Sequence, residues 1–414
     1  MVMATVLVVL GDLRTQAVPA VAILVVWGAA VLAAHPRGGR PRTVLMFALL
    51  LRGIVLFSPA TLSDDLYRYL WEGHATLSGI NPYRDAPSMM QGLNDAILAK
   101  VNHPTISSVY PPGAMWLFTA MAFICYDPIA VKVTMGLLDA GVAWGLAWVL
   151  VGRRRALSGA WLYALHPLAV VESAGSGHLE PAALLCMVMA IGAWDRGRSA
   201  VIWAGVGGLV KLLPFALMPA LWRRNPWHMG VVVLLAVLCA APFWDAGWAL
   251  GTGLETYARH WSFNASVFAV FSYFLGSVAR PFAMVLGAAI SAWALWRHAD
   301  PARVALWIGG AFVLLSPTVH PWYIAWAWVP ALLCGVRAWS VLATLAPLSY
   351  VVLATLDPTT GQWAEPWWPV WVQYVPFLGV MAWEFGVHLT QPGPWAPGPH
   401  REMLSSPSPM AHVP

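Results

Sequence analysis

The sequence has little charge. Only 10% of its 414 residues are Asp, Glu, Lys or Arg, whereas 59% are hydrophobic. A soluble chain of this length needs about 25% charged residues to cover its surface, so an ordinary water-soluble domain is excluded. The mean hydropathy of +0.66 and the long apolar runs predict an all-α integral membrane protein that crosses the bilayer many times.

Cysteine is scarce too, and a basic leader is missing. The four cysteines lie inside apolar runs without the spacing of a metal site or a disulfide framework, so we expect free thiols. Residues 1–13 have no basic start and no small-residue cleavage site, so we expect no cleaved secretory signal. The net charge of +5 comes from scattered arginine clusters rather than from one basic patch. This positive-inside pattern predicts membrane lipids, and not nucleic acid, as partners.

The apolar runs, which include 17–34, 129–151 and 199–222, determine the predicted topology. We expect 10 to 13 transmembrane helices in a single membrane domain at 1–388, because several runs are shorter than the ~20 residues that span a bilayer untilted. The arginine clusters are predicted to be cytoplasmic, which places 60–111 outside as a large loop of short amphipathic helices. The run 112–126 is a doubtful span, since counting it breaks the parity between the flanking arginine clusters. The Pro-rich stretch 389–414 is predicted to be disordered.

An acidic pair gives the strongest local signal. The segment SDDLYRYLWEGHATLSGINPYRDAP at 63–87 begins where an apolar run ends. Asp64 and Arg68 are four residues apart and share a helical face, with Asp65 alongside. One carboxylate could therefore act as a general base, held by hydrogen bonds and a guanidinium. The alternative is that Ser63 or Asp64 simply caps a surface helix, and the two interpretations are compatible.

The same loop contains further turn signals. GINPY at 79–83 is typical of a turn that joins two short amphipathic helices. Asn102-His103-Pro104 and Tyr110-Pro111-Pro112-Gly113 follow it along the chain. A proline pair ahead of an apolar run favours a helix start over a direct role in ligand binding.

Charged residues also interrupt the apolar body. Lys132 and Asp139 are seven residues apart in one predicted span, so they share a face and could form a structural ion pair or contact other polar groups. Lys211 lies in the middle of an apolar run. It could extend along the helix to the interface, or it could neutralise a phosphate, which its position favours.

Two other polar segments combine histidine with carboxylates or aromatic rings. HPLAVVESAGSGHLE at 166–180 has a Gly-rich backbone with Glu172, His178 and Glu180. A metal site there is weakly supported, because a His and a Glu two residues apart lack further ligands nearby. SPTVHPWY at 316–323 places a histidine and two aromatic residues between two short spans. It indicates either an interfacial helix hairpin or an edge that binds sugar or phosphate.

An external carboxylate pair with scattered cations and aromatic rings suits transfer from a lipid-linked donor. A polyprenyl-phosphate sugar cannot leave the membrane, so its phosphate must be bound at the interface. An acceptor hydroxyl is a poor nucleophile, and a carboxylate would take its proton as it attacks the anomeric carbon. Arg, Lys or His donors would stabilise the departing phosphate, so no cofactor is required and a divalent metal ion is optional.

These motifs, taken in order over about 50–335, resemble the bacterial polytopic mannosyltransferase-like proteins of the GT-C glycosyltransferase superfamily. They are more distantly similar to the catalytic subunit of GPI mannosyltransferase I. The resemblance implies a GT-C fold in the plasma (inner) membrane, a polyprenyl-phosphate sugar donor, most often of mannose, and a lipid or glycan acceptor on the extracytoplasmic side. It also implies inversion at the anomeric carbon.

The resemblance also implies roles for particular residues. Asp64 or Asp65 would be the base, and Arg68, Lys211 and His320 would contact the donor phosphate. His178 and Glu180 would line the cavity. The other candidate substrate-binding residues are Tyr69, Asn81, Tyr83, His103, Tyr110, Glu172, Trp322 and Tyr323.

Other classes of membrane protein share some of these features. A transporter or flippase would also have broken helices and buried charges, but it would show inverted repeats and need no large acidic loop. An intramembrane prenyltransferase would need two Asp-rich motifs with Mg²⁺, and only one Asp pair is present. A scaffold without catalytic activity is the remaining alternative, and the ordered set of motifs disfavours it.

Overall fold

The computed structural model describes residues 1–90, 95–222, 226–357 and 363–390, with side chains of the last helix described up to 387. Over these residues the regular structure is helical, and Phe263 and Thr318 form one isolated β-bridge. A helix satisfies every backbone polar group within one segment, which the bilayer interior demands. The prediction of an all-α polytopic membrane protein is confirmed.

Nineteen α-helices are present in these described segments, and we number them in chain order. Helices α1 to α19 cover Val2–Leu10, Ala17–Ala34, Pro41–Val55, Asp65–Leu77, Pro112–Ile124, Pro128–Gly152, Ser158–Leu165, Pro167–Val170, Glu180–Gly192, Arg198–Val210, Met218–Trp222, Pro226–Ala240, Thr252–His260, Val267–Leu275, Ala279–Arg297, Pro301–Leu315, Ala325–Cys334, Ala338–Leu345 and Trp368–Thr390. Shorter helical turns cover Pro87–Met90, Leu98–Lys100, Val171–Gly175, Trp194–Arg196, Leu213–Leu217, Ala241–Gly251, Gly276–Val278, Pro321–Ile324 and Ala346–Thr355. The turn at Val171–Gly175 is a π-helix.

Six helical segments in the described chain are long and apolar enough to cross a membrane. They are Ala17–Ala34, Pro128–Gly152, Pro226–His260, Val267–Arg297, Ala338–Thr355 and Trp368–Val387. Six shorter apolar segments of 10–17 residues are Pro112–Ile124, Glu180–Gly192, Arg198–Val210, Leu213–Trp222, Pro301–Leu315 and Pro321–Cys334. Length and composition alone do not decide which short segments span, so the range of 10 to 13 spans and the status of 112–126 stay predictions.

Helix α6 shows how local sequence defines the long helices. Asp127 accepts a hydrogen bond from the backbone N–H of Ile129 at 2.9 Å, and Pro128 occupies the first helical position. A side-chain cap and a proline with no N–H to satisfy are the signals that begin a helix. The apolar sequence then continues for 25 residues and ends before Arg153. The run predicted at 129–151 matches this helix.

A buried ion pair joins α3, α6 and α7. The guanidinium of Arg52 in α3 donates to Asp139 in α6, with Nε 2.7 Å from Oδ2, and the hydroxyl of Tyr163 in α7 donates to Oδ1 of the same carboxylate. The predicted ion pair between Lys132 and Asp139 is therefore wrong. Lys132 instead donates to the backbone carbonyls of Leu56 and Ser58, which is the other role that the sequence left open. An arginine from another helix outcompetes a lysine two turns away.

The loop at 60–111 contains one α-helix, α4, which packs against α5. A Cβ on Gly73 would lie 2.2 Å from the carbonyl oxygen of Phe118, so only glycine allows this approach of α4 to α5. After α4 the chain turns at Gly79, whose φ is 77°. The second amphipathic helix predicted beyond GINPY is absent from the described part of this loop, where the short turns Pro87–Met90 and Leu98–Lys100 occur instead.

The run predicted at 199–222 breaks at Lys211. Helix α10 ends at Val210, and Lys211 is extended, with φ −145° and ψ 135°. Pro214 lies in the turn Leu213–Leu217 that follows, and a proline cannot supply the N–H that a continuing helix needs. The break places the lysine side chain at a helix end, beside the first turn of α9.

The predicted tail at 389–414 falls almost entirely outside the described residues. Helix α19 extends to Thr390, and residues from 391 onward are not described. The division into a membrane domain at 1–388 and a disordered tail stays a prediction.

Candidate active site

The two predicted catalytic carboxylates have different partners at the start of α4. Asp64 accepts a hydrogen bond from Nη2 of Arg14 at 2.8 Å, and this ion pair is about one-third exposed. Asp65 accepts from Nδ2 of Asn102 at 2.7 Å. Asp64 occupies the N-cap position but makes no side-chain cap bond, and Ser63 Oγ accepts from the backbone N–H of Asp65 at 3.3 Å. Of the two residues that could cap the helix, Ser63 therefore binds a backbone N–H and Asp64 does not. The side chain of Asp65 takes no part in capping.

Arg68 does not pair with Asp64, the residue one helical turn before it. Its guanidinium reaches Glu72, one turn after it, at 3.2 Å, and the carbonyl oxygens of Asn102, His103 and Ile106 at 2.6–3.1 Å. All five N–H donors of Arg68 are used, one for Glu72 and four for the loop 102–106. In this structure Arg68 therefore holds that loop against α4 and has no free donor for a phosphate.

Glu72 is completely buried behind Arg68. Burial raises the pKa of its carboxyl, while Arg68 and the hydroxyl of Ser108, which donates to Oε2 at 2.9 Å, oppose that shift. Buried charges are retained where partners satisfy them. The three groups together form a polar core inside the predicted external loop.

Tyrosine rings lie between this loop and the membrane bundle. Tyr69 stacks on Phe118 with ring centroids 4.5 Å apart and meets Tyr110 edge-on at 5.2 Å. Burial raises the pKa of Tyr69, and Tyr110, Asp65 and Glu180 raise it further. Two carboxylates from different parts of the chain therefore act on one buried phenol. This places the loop carboxylate and the α9 carboxylate around the same aromatic group.

A stack of three rings joins two of the predicted motifs. Trp322 lies between His178, at 3.5 Å between ring centroids, and His320, at 4.5 Å, with interplanar angles of 19° and 3°. Glu172 lies behind the stack, with Oε2 3.0 Å from Nδ1 of His178 and both oxygens 2.9 Å from the hydroxyl of Tyr350. Both faces of Trp322 are covered, so this ring offers no open face to a sugar in this structure.

Glu180 and Lys211 form an ion pair beside this stack. Nζ of Lys211 donates to Oε1 of Glu180 and lies 4.9 Å from the ring centroid of Tyr323. The hydroxyl of Tyr323 is 3.0 Å from that of Tyr257. An ammonium has three N–H donors, so the pair with Glu180 leaves Lys211 with donors for an anion.

Backbone hydrogen bonds tie the segment that precedes His320 to Phe263. The backbone N–H of Phe263 donates to Pro317 O at 3.0 Å, and that of Val319 donates to Phe263 O at 2.8 Å. Burial lowers the pKa of His320 to about 3, an effect that Asp65 opposes and that Lys211 reinforces. A neutral imidazole can contact a phosphate by donating one hydrogen bond, but it does not bring a positive charge.

Three predicted site residues lie at the outer side of the loop. Asn81 donates to Asp245, and its Oδ1 accepts from the backbone N–H of Tyr83 at 3.1 Å. The hydroxyl of Tyr83 donates to Tyr110 O at 2.8 Å. His103 has a positive φ of 44° and meets Trp261 edge-on. These contacts organise the loop and connect it to 241–261, and none of them joins Asn81, Tyr83 or His103 to the stack.

A small cavity extends the site into the bundle. Its volume is about 20 Å³, and its lining includes Glu172, His178, Glu180 and Trp322. Within the described segments, Nε2 of His178 and Oε2 of Glu180 are buried without a hydrogen-bond partner, and unpartnered buried polar atoms are uncommon in folded proteins. This volume holds about one water molecule and is too small for a hexose.

Sequence reasoning missed several polar residues that the structure places at or near the site. Arg52 was detectable as a charge within an apolar run. Asn102 belongs to a motif that was singled out only as a turn. No local signal marks Arg14, Tyr257 or Tyr350, because their partners are 50 to 178 residues away in the sequence. In the described part of the chain, no group of three or more His, Cys, Asp and Glu side chains could hold a metal ion.

Comparisons with known proteins show that the chain is similar to mannosyltransferases. The chain is 25% identical over 339 residues to alpha-(1->6)-mannopyranosyltransferase B of Corynebacterium glutamicum, which is 67% of this chain and 56% of that protein. It is 24% identical over 381 residues to alpha-(1->6)-mannopyranosyltransferase A of Mycobacterium tuberculosis, covering 80% and 72%. A probable alpha-(1->6)-mannopyranosyltransferase of Mycolicibacterium smegmatis is 22% identical over 366 residues, covering 70% and 65%.

These relatives confirm the resemblance to membrane mannosyltransferases, and they support the glycosyltransferase class. The chain spans a little over half the length of the Corynebacterium protein that it matches. No family model matches the chain. No solved structure matches it either.

Proposed function

We propose that this protein is a membrane glycosyltransferase that moves a mannosyl residue from a polyprenyl-phosphate donor to an acceptor hydroxyl at the extracytoplasmic face of the plasma membrane. Asp65 acts as the general base. The observation that carries the proposal is the position of Asp65 in the first turn of α4, where Asn102 donates to one carboxylate oxygen and the other oxygen is free of hydrogen bonds to the described residues. The names of the relatives supply the sugar.

The base is Asp65 rather than Asp64 because of their partners. A guanidinium holds Asp64 in an ion pair, so the charge of this carboxylate is already partnered. Asp65 has a neutral amide as its partner on Oδ1, and its Oδ2 has no hydrogen bond to any described residue. A free carboxylate oxygen is what a general base needs in order to take a proton from an acceptor hydroxyl.

The donor phosphate is bound by Lys211, with His320 as a second donor. Lys211 is at the break after α10 with its side chain 20% exposed, and an ammonium is a strong partner for a phosphate. His320 contributes a hydrogen bond without charge. Arg68, the third phosphate contact that the resemblance implies, is fully engaged with Glu72 and loop carbonyls, and in this proposal its role is to hold the loop.

The chemical step then balances without a redox partner. Asp65 takes the proton of the acceptor hydroxyl as that oxygen forms a bond to the anomeric carbon. The bond from the anomeric carbon to the phosphate oxygen breaks, and its electron pair leaves with the polyprenyl phosphate. Lys211 and His320 stabilise the additional negative charge on that phosphate. Attack from the face opposite the phosphate inverts the anomeric centre, so a β-linked donor gives an α-mannoside, in accord with the names of the relatives.

The test is transfer of labelled mannose from polyprenyl phosphate mannose in membranes that contain the wild type or one of two matched variants. We expect Asp65→Asn to lower transfer about 10²- to 10⁴-fold, the usual contribution of a general base. Asp64→Asn is the control, because it removes the neighbouring carboxylate and keeps the shape. Abundance and thermal stability in detergent are measured for each protein.

Three outcomes count against the proposal in different ways. Loss of transfer in Asp64→Asn alone would move the base to the other carboxylate. Equal activity in all three proteins would remove both from the chemistry. No transfer by the wild type with mannose, glucose, galactose or arabinose donors, together with unchanged behaviour of both variants in the cell, would favour a transporter or flippase.

A further inference from the structure

The structure holds Asp65 in place through a side chain that belongs to none of the predicted site residues. Asn102 donates from Nδ2 to Oδ1 of Asp65 at 2.7 Å. Its own Oδ1 accepts from Nε of Arg68 at 3.2 Å. The chain of contacts therefore runs from a guanidinium through an amide to a carboxylate, and it ends at the residue that we propose as the base.

The orientation of this amide is determined by its two partners. A guanidinium has only donors, so the amide oxygen must be turned toward Arg68. A carboxylate has only acceptors, so the amide NH₂ must be turned toward Asp65. The reversed orientation would lose both hydrogen bonds. Asn102 thus always presents an N–H to Asp65, and it occupies Oδ1 rather than Oδ2.

We propose that Asn102 is a positioning residue for Asp65: its amide fixes the carboxylate rotamer and leaves Oδ2 as the oxygen that takes the acceptor proton. This inference rests on the proposed function for its catalytic meaning. A hydrogen bond to the charged form of an acid favours that form. Fixing a base within tenths of an ångström of its working position contributes to rate, because misplacement by 1 Å costs about 100-fold.

The loop that carries Asn102 does not depend on this side chain. Arg68 holds the segment through three backbone carbonyl oxygens, those of Asn102, His103 and Ile106. These contacts survive when the side chain at 102 is changed. Substitution at 102 is therefore expected to alter the carboxylate without unfolding the loop, which makes the inference testable in the intact membrane protein.

Two variants separate positioning from a structural role. Asn102→Ala removes the donor, and we expect kcat to fall about 10- to 100-fold, the range for a hydrogen bond to a charged group, with the KM for the donor within about twofold of wild type. The acid limb of the pH profile of kcat/KM moves to higher pH. Asn102→Asp keeps the shape and the acceptor for Arg68 but places a second carboxylate against Asp65, and the acid limb moves up by about one pH unit or more.

The matched control is Tyr126→Phe. The hydroxyl of Tyr126 donates to Oδ2 of Asp95 at 2.6 Å, so this variant also deletes one hydrogen bond to a carboxylate of the same loop. It does not touch Asp65. We expect its pH profile to coincide with that of the wild type. Profiles of Asn102→Ala and Asn102→Asp that coincide with the wild type after scaling would overturn the inference and leave Asn102 with a structural role alone.

A second measurement does not depend on activity. In protein with ¹³C-labelled aspartate, the carboxyl infrared band of Asp65 is isolated by subtracting the spectrum of Asp65→Asn, and its titration is followed with and without Asn102→Ala. We expect the band to titrate at higher pH when the amide is removed. Identical titrations would refute the positioning role even in an active enzyme. A shifted titration in a protein without transfer activity would instead reject the proposed function and retain the contact.

Discussion

Two regions of the molecule each contain an arginine and an aspartate, and they leave the aspartate carboxylate with different partners. In the bundle, Arg52 and Tyr163 donate to both oxygens of Asp139, and the ion pair is 3% and 2% exposed. At the start of α4, Arg68 turns away to Glu72 and the loop carbonyls, and Asp65 receives one amide hydrogen bond. The carboxylate of Asp139 accepts hydrogen bonds on both oxygens, whereas that of Asp65 accepts on one.

This difference separates a structural charge from a chemical one. A buried carboxylate that is hydrogen-bonded on both oxygens and paired with a guanidinium is committed to joining helices. A carboxylate with one oxygen free of hydrogen bonds can accept a proton there. Burial alone would point to Asp139, whereas the count of hydrogen bonds is the reason that we propose Asp65.

The largest expected effect comes from breaking the ion pair between Arg52 and Asp139. Arg52→Met leaves Asp139 buried without its cation, and we expect a loss of about 3–5 kcal/mol in stability. Thermal unfolding in detergent measures it. The triple change Arg52→Met, Asp139→Leu and Tyr163→Phe replaces the whole group by apolar side chains and should recover most of the loss. Low stability in the triple variant would mean that the polar group contributes more than its pairing.

The next largest effect is expected at Lys211, the proposed phosphate-binding cation. Lys211→Met should raise the KM for the lipid-linked donor about 10- to 100-fold, because a charged hydrogen bond to the phosphate is lost. It also leaves Glu180 unpaired. The double change Lys211→Met with Glu180→Gln removes that second problem, and we expect it to recover stability while the KM stays high. A wild-type KM in the double variant would show that Lys211 serves only to neutralise Glu180.

Local patterns in the sequence predicted much of the fold and part of the site. The runs at 17–34 and 129–151 match α2 and α6, because hydropathy and helix caps act within a few residues. Asp65 and the polar segment around His178 were singled out for the same reason, and their roles stay predictions. The pairings were not found. Arg68 has a carboxylate one turn away on each side, and helical spacing alone does not choose between Asp64 and Glu72.

Long-range partners decided those pairings. Arg14 reaches Asp64 across 50 residues of sequence and Arg52 reaches Asp139 across 87, so neither contact leaves a periodic pattern. The Lys132 and Asp139 pair was wrong because a guanidinium from α3 arrives at the same carboxylate. Asn102 was missed as a site residue since its role depends on two side chains from α4.

A smaller effect is expected in the pH dependence of the donor KM and of stability at His320, in the proposed phosphate site. Burial lowers the pKa of His320 to about 3, so the imidazole stays neutral from pH 5 to 8 and titrates in the unfolded chain near pH 6.5. Donor KM should therefore show no rise as pH increases through 6.5, and His320→Gln should leave its pH dependence unchanged. Stability should fall as pH drops below 6.5, less steeply in the variant. A KM that rises through pH 6.5 only in the wild type would show a cationic His320.

The smallest effect is expected at the exposed pair, and it sharpens the comparison most directly. Asp64 is adjacent to Asp65 in sequence, yet Arg14 already binds it at a position about one-third exposed. Exposed ion pairs contribute about 0–1 kcal/mol, so Asp64→Asn and Arg14→Gln should each change stability by no more than that and kcat/KM by less than about threefold. Transfer rates and unfolding temperatures of these two variants test both expectations. A loss of activity in Arg14→Gln equal to that in Asp65→Asn would mean that the arginine orients the base, and the ion pair with Arg14 would then no longer exclude Asp64 from the chemistry.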